Sequence, residues 1–228
     1  MGPSLGKNAD SPRRKPRRRG RPPKSLSEAQ QIRDRLLRAA TAVFAQHGLG
    51  GGRVKRIASA AKSNERMIYY YFGSKERLFI AVLENVYRQM WEAENALHLD
   101  RSSPIDAIKA MSDFTLDHYL SHPEMLTILN NENLHRGRYV SKSKELKRLS
   151  SPALELMSRI YTRGVGSGVF RKGLDPVEIY LSILALNYFY VSNRHTLSAY
   201  LGINLAGEQL KSWRRWVSDV IVRAIRST

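Results

Sequence analysis

The sequence predicts an all-α protein of about nine helices, a three-helix helix-turn-helix head followed by a larger helical body. Three observations predict it. Apolar residues recur at spacings of three and four from Ile32 to Ile225, without the alternation that a half-buried strand needs. Prolines stand where helices open, at Pro104, Pro123 and Pro176. The stretch IASAAKSNERMIYYYFGSKERLF, residues 57–79, puts small residues at a helix crossing just ahead of an exposed, polar helix start, which is the steric requirement of a helix-turn-helix.

Residues 1–25 include Pro3, Pro12, Pro16, Pro22 and Pro23 and almost nothing large and apolar. They bury too little surface to offset the entropy of ordering and are expected to form a disordered basic arm. The head is expected over 26–73 and the body over 74–228. From Ser27, a candidate N-cap, Ile32, Leu36, Ala39, Ala40 and Val43 mark one face of a first helix, which Gly48 is expected to end in a left-handed turn. Gly50, Gly51 and Gly52 read as a flexible connection. Val54 to Ala61 makes a short second helix with Ile57, Ala58 and Ala61 inward; Ala60 joins the small set at the crossing. Asn64 caps a third helix from Glu65 to about Tyr71, and Gly73 stops it. Ser74 caps a long fourth helix over 75–97 with Phe79, Val82, Leu83, Val86 and Met90 on one side.

Beyond it, Pro104 and Pro123 each open a helix, and Gly137 to Ser143 reads as a polar, mobile loop. Lys144 to Val165 makes the next helix, GVGSGVFRKG (164–173) a turn-rich break with a possible extended piece at Val169–Phe170. The helix from Pro176 is apolar nearly all round, so more than one of its faces is expected to be buried, and Leu205 to Ile225 forms the last helix.

The net charge of +18 is unevenly spread: +8 over residues 1–24, +6 over 25–91 and +4 over 92–228. That concentration fits an N-terminal part facing nucleic acid. A polybasic membrane tether is the competing reading, but no lipidation signal or apolar anchor accompanies it. The chain has no cysteine, which excludes disulfides and thiolate metal sites. No apolar run approaches a membrane span, and no secretory signal is present. Neither GVGSG nor GLGGG has nucleophile-elbow or phosphate-loop spacing, and no catalytic constellation is apparent, so the protein is expected not to be an enzyme and to need no cofactor. His118 and His122 stand at i,i+4, a spacing open to a metal, but no third ligand has motif spacing and an ordinary histidine pair is the favoured reading.

The segment IASAAKSNERMIYYYFGSKERLF closely resembles the N-terminal signature of the tetracycline-repressor (TetR) family of bacterial regulators, and the match covers residues 30–83. Beyond it the resemblance lies only in the all-helical layout. An ordinary helical hairpin within a larger bundle is the bland alternative. Three positions depart from the family pattern. Lys62 stands where the family usually has Gly, Ser63 where a small apolar residue is usual, and Gly52 and Arg53 where Thr usually opens the second helix. The resemblance implies base-edge reading by Glu65, Arg66, Met67 and Tyr69, and phosphate contacts from Lys55, Tyr70 and Lys75. Chemically, Arg66 suits a guanine and Glu65 a cytosine amine. Tyr71 is open between a phosphate contact and packing.

In the arm, Arg19-Gly20-Arg21-Pro22 resembles the AT-hook core. Gly lets the backbone lie against a groove floor, and Arg19 and Arg21 suit a narrow, electronegative A·T minor groove. The alternative is a solvated basic tail that contributes counterion release alone.

In the body, Asn187 and Tyr190 sit on an otherwise apolar helix, and Asn130, Asn133 and His135 cluster mid-domain. With His118 and Tyr161 they are the candidate anchors of a pocket for a small-molecule effector, which the resemblance places among the central helices. Each of them is also open to an ordinary structural role. Two stripes, Ile179, Ile183, Leu186 and Phe189, and Leu210, Trp213, Val217, Val220, Ile221 and Ala224, are expected to form a homodimer seam, as the resemblance implies, and must in part be intrachain core. The combined expectation is a cytoplasmic, nucleoid-associated homodimeric repressor of a pseudo-palindromic double-stranded operator, released by an effector. The rivals are an architectural, weakly sequence-specific DNA binder using the arm, and an enzyme with a DNA-binding head.

Overall fold

Ser25, not Ser27, caps the first helix, its hydroxyl accepting from the Glu28 amide at 3.1 Å. The computed structural model describes residues 25–227, and the arm with Arg19 and Arg21 lies outside them. Among the described residues the chain forms nine α-helices. They are α1 (Leu26–Gly51), α2 (Val54–Ala60), α3 (Glu65–Phe72), α4 (Lys75–Asn95), α5 (Pro104–Ser121), α6 (Pro123–Leu134), α7 (Lys144–Gly166), α8 (Pro176–Leu201) and α9 (Glu208–Ile225). Short 3-10 turns stand at Leu99–Arg101 and Val140–Lys142.

The caps follow the sequence closely. Asn64 accepts from Met67, Ser74 from Arg77, Ser103 from Asp106, Ser143 from Leu146 and Asp175 from Val177, so with Ser25 six helices start on a side chain that satisfies an orphan amide. The anticipated extended piece is one antiparallel bridge, Phe170 to Arg226, which ties the break after α7 to the end of α9.

Three expectations need correction. Gly48 does kink α1, at φ 64°, but its ψ of 176° is not left-handed helix, and the chain takes a further turn with Leu49 buried. The glycine run is therefore not a loose connection. Gly52 is buried against the Phe44 ring, where an added Cβ would lie 2.4 Å from Cδ1. Residues 137–143 are not a free loop either. The buried Glu132 carboxylate accepts from the Tyr139 and Val140 amides at 2.6 and 2.8 Å. Tyr139 then packs edge-on against Phe79.

Two apolar clusters result. One runs through the head into α4 and α6, from Leu36, Phe44, Ile57, Ile68 and Phe72 to Leu83, Met125 and Ile128, and so crosses residue 73 without a break. The other joins α5, α7, α8 and α9 around Ile108, Met157, Phe170, Ile183, Val217 and Ile221. Ile179, Ile183, Val217 and Ile221 thus belong to the intrachain core rather than to a seam.

The turn of the helix-turn-helix keeps its shape despite Lys62. Its φ is 48°, and it donates to the Ser59 carbonyl while Ser63 donates to Ala58, the paired bonds of a Schellman cap. A side chain in this conformation costs roughly 1–2 kcal/mol. Lys62→Gly is therefore expected to raise stability by about 1 kcal/mol, read as a higher denaturant midpoint with an unchanged slope. An unchanged or lower midpoint would show that the lysine is not strained.

Candidate nucleic-acid interface and internal cavity

The outer face of α2 and α3 is cationic and aromatic. Arg53, Lys55, Arg56, Lys62 and Arg66 are all exposed, with Glu65 the single acid from 53 to 66. Ile68 and Phe72 are buried and fix α3 against the head, leaving Tyr69 and Tyr70 50% and 70% exposed. Tyrosines held out in this way suit phosphate, sugar and thymine-methyl contacts. Two of the expected contacts look different in three dimensions. Met67 is half-buried and packs on the apolar cluster. Lys75 is half-buried at the start of α4 and donates to the Gly50 carbonyl at 3.3 Å, stapling the end of α1 to α4; that burial lowers its pKa. Ala60 is exposed and leaves the crossing to Ala58 and Ala61, and the Tyr71 hydroxyl is buried without a partner, which favours packing for that residue.

The body holds a partly open cavity of about 470 Å³ between α4, α5, α6, α7 and α8. Its wall is mostly apolar and aromatic, including Tyr87, Met90 and Trp91 from α4, Tyr119, Met125 and Leu129 from α5 and α6, and Tyr180 and Leu184 from α8. The size and lining suit a small organic molecule. One acid, Glu94, stands in this wall, 3% exposed. One of its oxygens accepts from the Tyr180 hydroxyl at 3.3 Å, and the other, Oε1, is buried with no partner. Burial raises its pKa to about 7, against the lowering effect of the Tyr180 bond. The Tyr180 and Tyr119 hydroxyls are pushed up in turn, chiefly by burial, and stay neutral.

None of the seven pocket residues expected from the sequence lines this cavity. His118 is buried and stacked on His122, ring centroids 4.2 Å apart, and burial with His122 alongside lowers its pKa to about 4. Asn130 is exposed, accepting from Tyr188 and donating to Ser192. Asn133 and His135 are exposed, the latter edge-on to Tyr139. The Tyr161 hydroxyl donates to Arg171 and accepts from Leu174, pinning the turn after α7. Asn187 is buried on α8 and donates to Ile183 and Ser112. Tyr190 donates to the Leu205 carbonyl and stacks on Trp213. Tyr161, Tyr190 and Asn130 spend their polar groups on local structure, while the Asn187 Oδ1 is buried with no partner. Glu94 went unread although it had a signal: it falls four residues after Met90 and eight after Val86, on the stripe that faces inward.

A model described as the N-terminal part of bacterial regulatory proteins of the tetR family matches residues 36–82. A tetracyclin repressor-like C-terminal domain matches residues 104–221, more than half of the chain. The HTH-type transcriptional repressor NicS of Pseudomonas putida is 46% identical over 200 residues, covering 87% of this chain and 94% of that protein. The chain belongs to the TetR family. As a TetR-family protein it is a DNA-binding transcriptional regulator and not an enzyme. The regulator RutR of Escherichia coli is 27% identical over 76% of this chain and 80% of its own. Among solved structures, a TetR-family regulator from Marinobacter aquaeolei superposes with a TM-score of 0.69 at 18% identity, over 90% of this chain and 100% of that one. The ketosteroid regulator KstR2 of Mycobacterium tuberculosis gives 0.63 at 17%, over 86% and 95%. At such identities these two structures establish the fold alone.

This TetR-family chain also leaves an apolar face on its last two long helices. Phe189 on α8 and Trp216 on α9 are 55% and 51% exposed, and Leu186, Val220 and Ala224 line a shallow groove between the same helices. Among the described residues no helix is long and apolar enough to cross a membrane, and no group of three or more His, Asp or Glu is placed to hold a metal ion.

Proposed function

We propose that the protein is a cytoplasmic, homodimeric repressor that binds a pseudo-palindromic operator through α3 and is released by a small molecule held in the α4–α8 cavity. The observation that carries this reading is the exposed Arg66–Tyr69–Tyr70 face on the helix-turn-helix of a chain whose relative NicS is named a repressor. Glu65, Arg66 and Tyr69 read base edges, with Met67 contributing from a half-buried position; Lys55, Tyr70 and the remaining donors of Lys75 hold phosphates. Arg19 and Arg21 extend the footprint into the flanking minor groove. Two copies pair through the exposed face of α8 and α9, setting half-sites roughly 34–36 Å apart.

Release requires the ligand to favour one spacing of the two heads over the other, and a differential of roughly 1–3 kcal/mol gives a 5–150-fold change in operator affinity. Helix α4 connects cavity and head directly. Helix α6 is a second connection that the sequence did not suggest. Met125 and Leu129 line the cavity, while Asn131 sits against the Gly48 kink, its Oδ1 2.5 Å from where a Cβ would lie.

A salt series on operator and random DNA tests the reading. The expected result is a large specificity ratio that survives at 200 mM salt. Arg66→Ala is expected to cost roughly 1–3 kcal/mol on the operator and almost nothing on random DNA. Equal affinities for both DNAs would replace the repressor with an architectural binder, and unchanged specificity in Arg66→Ala would remove Arg66 from base readout.

A further inference from the structure

Glu94 is a carboxylate in an aromatic cavity with half of its hydrogen-bonding capacity unused. A buried carboxylate is costly unless it is paired, and Glu94 lines a cavity large enough for a ligand while its Oε1 is buried with no partner, so a donor brought by a ligand would relieve that cost. The side chains around it point to the same chemistry. Tyr87, Trp91, Tyr119 and Tyr180 line the cavity, and an aromatic face carries negative quadrupole charge that attracts a cation. The one cation among the lining residues, Lys147, is exposed. The acid in the wall is Glu94, charged above its raised pKa of about 7, and the surface around it is aromatic.

Building on the repressor reading above, we propose that the effector is a small organic amine whose protonated nitrogen donates to Glu94 Oε1 while its apolar body lies among the aromatic side chains of α4, α5 and α8. Tyr180 is the positioning residue. Its hydroxyl occupies the other Glu94 oxygen and leaves Oε1 as the acceptor for the ligand. A carboxylate ligand would meet an acid and electron-rich ring faces and is excluded by the same features.

The test uses matched probes on the full chain at pH 8: phenethylamine against 3-phenylpropionate, and tryptamine against indole-3-propionate. Binding is followed by titration calorimetry and by the shift in melting temperature. The expected result is that the amine of each pair binds, the carboxylate does not, and Glu94→Gln weakens amine binding roughly tenfold or more. Tyr180→Phe is expected to weaken the amines by a smaller factor and to leave the carboxylates unbound. Amine affinity that is the same in Glu94→Gln, carboxylates that bind as well as amines, or amines that fail to bind would each overturn the proposal. Operator release separates the two readings. If a compound without an amine releases the operator, the repressor reading stands and the amine assignment falls. If amines bind at Glu94 and operator affinity does not change, the amine site stands and effector release falls.

Discussion

Gly52→Ala is expected to destabilise the protein by about 2–3 kcal/mol and to lower operator affinity in parallel, whereas Gly50→Ala, two residues away, is expected to be neutral or slightly stabilising. The contrast is steric. A methyl group on Gly52 would lie 2.4 and 2.7 Å from two carbons of the Phe44 ring and 2.9 Å from the Gly48 carbonyl oxygen. The ring has little room to give way. Phe44 is fully buried and packs edge-on against Phe79 with centroids 5.3 Å apart, so relief must come from a backbone shift at the junction of α1 and α2. That junction sets where the helix-turn-helix stands relative to α4, which couples the stability loss to DNA binding. Gly50 has open space for a methyl group within 4 Å. Denaturant midpoints and operator titrations of the two variants decide the matter; if both behave alike, the GLGGG stretch is the loose connection that its composition suggests.

Replacing Glu94 is expected to have the opposite sign. Glu94→Gln should be more stable than the parent at pH 8, by up to about 3 kcal/mol, with the difference vanishing near pH 4.5. The folded-state pKa is raised from 4.5 to about 7, so the folded protein binds the proton more tightly than the unfolded chain does. The contribution to stability is complete below the unfolded value and is lost as pH rises through the folded one, leaving a buried, half-paired carboxylate at high pH. Glutamine keeps an acceptor for Tyr180 and has no charge to bury. His118 slopes the other way. Its lowered pKa of about 4 makes stability fall as pH drops from 6.5 through that value, so the parent's own pH profile mixes both groups and only the difference between the variants isolates Glu94. A constant offset across pH 4.5–8 would mean that Glu94 does not titrate as its burial requires. A more stable Glu94→Gln also makes any loss of amine binding in that variant a change at the site and not a failure to fold.

The head was legible because its determinants are local. An N-cap, a left-handed turn and an inward Ile68–Phe72 pair each lie within a few residues of one another, and their steric demands show in the order of residue types. Met67 and Lys75 were read too simply, since α3 and α4 share one outer surface with the end of α1 and exposure there depends on how the three helices meet. The cavity was not legible. Asn130, Asn187 and Tyr190 carry the polar chemistry expected of ligand anchors, yet Asn130 bonds α8, Asn187 donates to α5 and to its own helix, and Tyr190 donates to the connection between α8 and α9. The two stripes expected on α8 and α9 divide between surface and core. Leu186, Phe189 and Val220 do lie outward or partly outward, but Ile179, Ile183, Val217 and Ile221 fill the intrachain core, because a helix apolar all round gives no sequence signal for which face meets which partner.

By itself the sequence determined the all-α class, the helix-turn-helix with its Asn64 and Ser74 caps, and the charge asymmetry that directs it toward DNA. These follow from periodicity, caps and sterics acting over one or two helical turns. The tertiary structure alone decided that Gly52 is a packing position, that 137–143 is held down by Glu132, and that the cavity is lined by Glu94 and Tyr180 and not by the conspicuous histidines and asparagines. Gly52 meets Phe44 and Glu132 meets Tyr139 where the chain bends after a helix, and Glu94 meets Tyr180 from helices 86 positions apart; the order of residue types along the chain carries no record of such contacts.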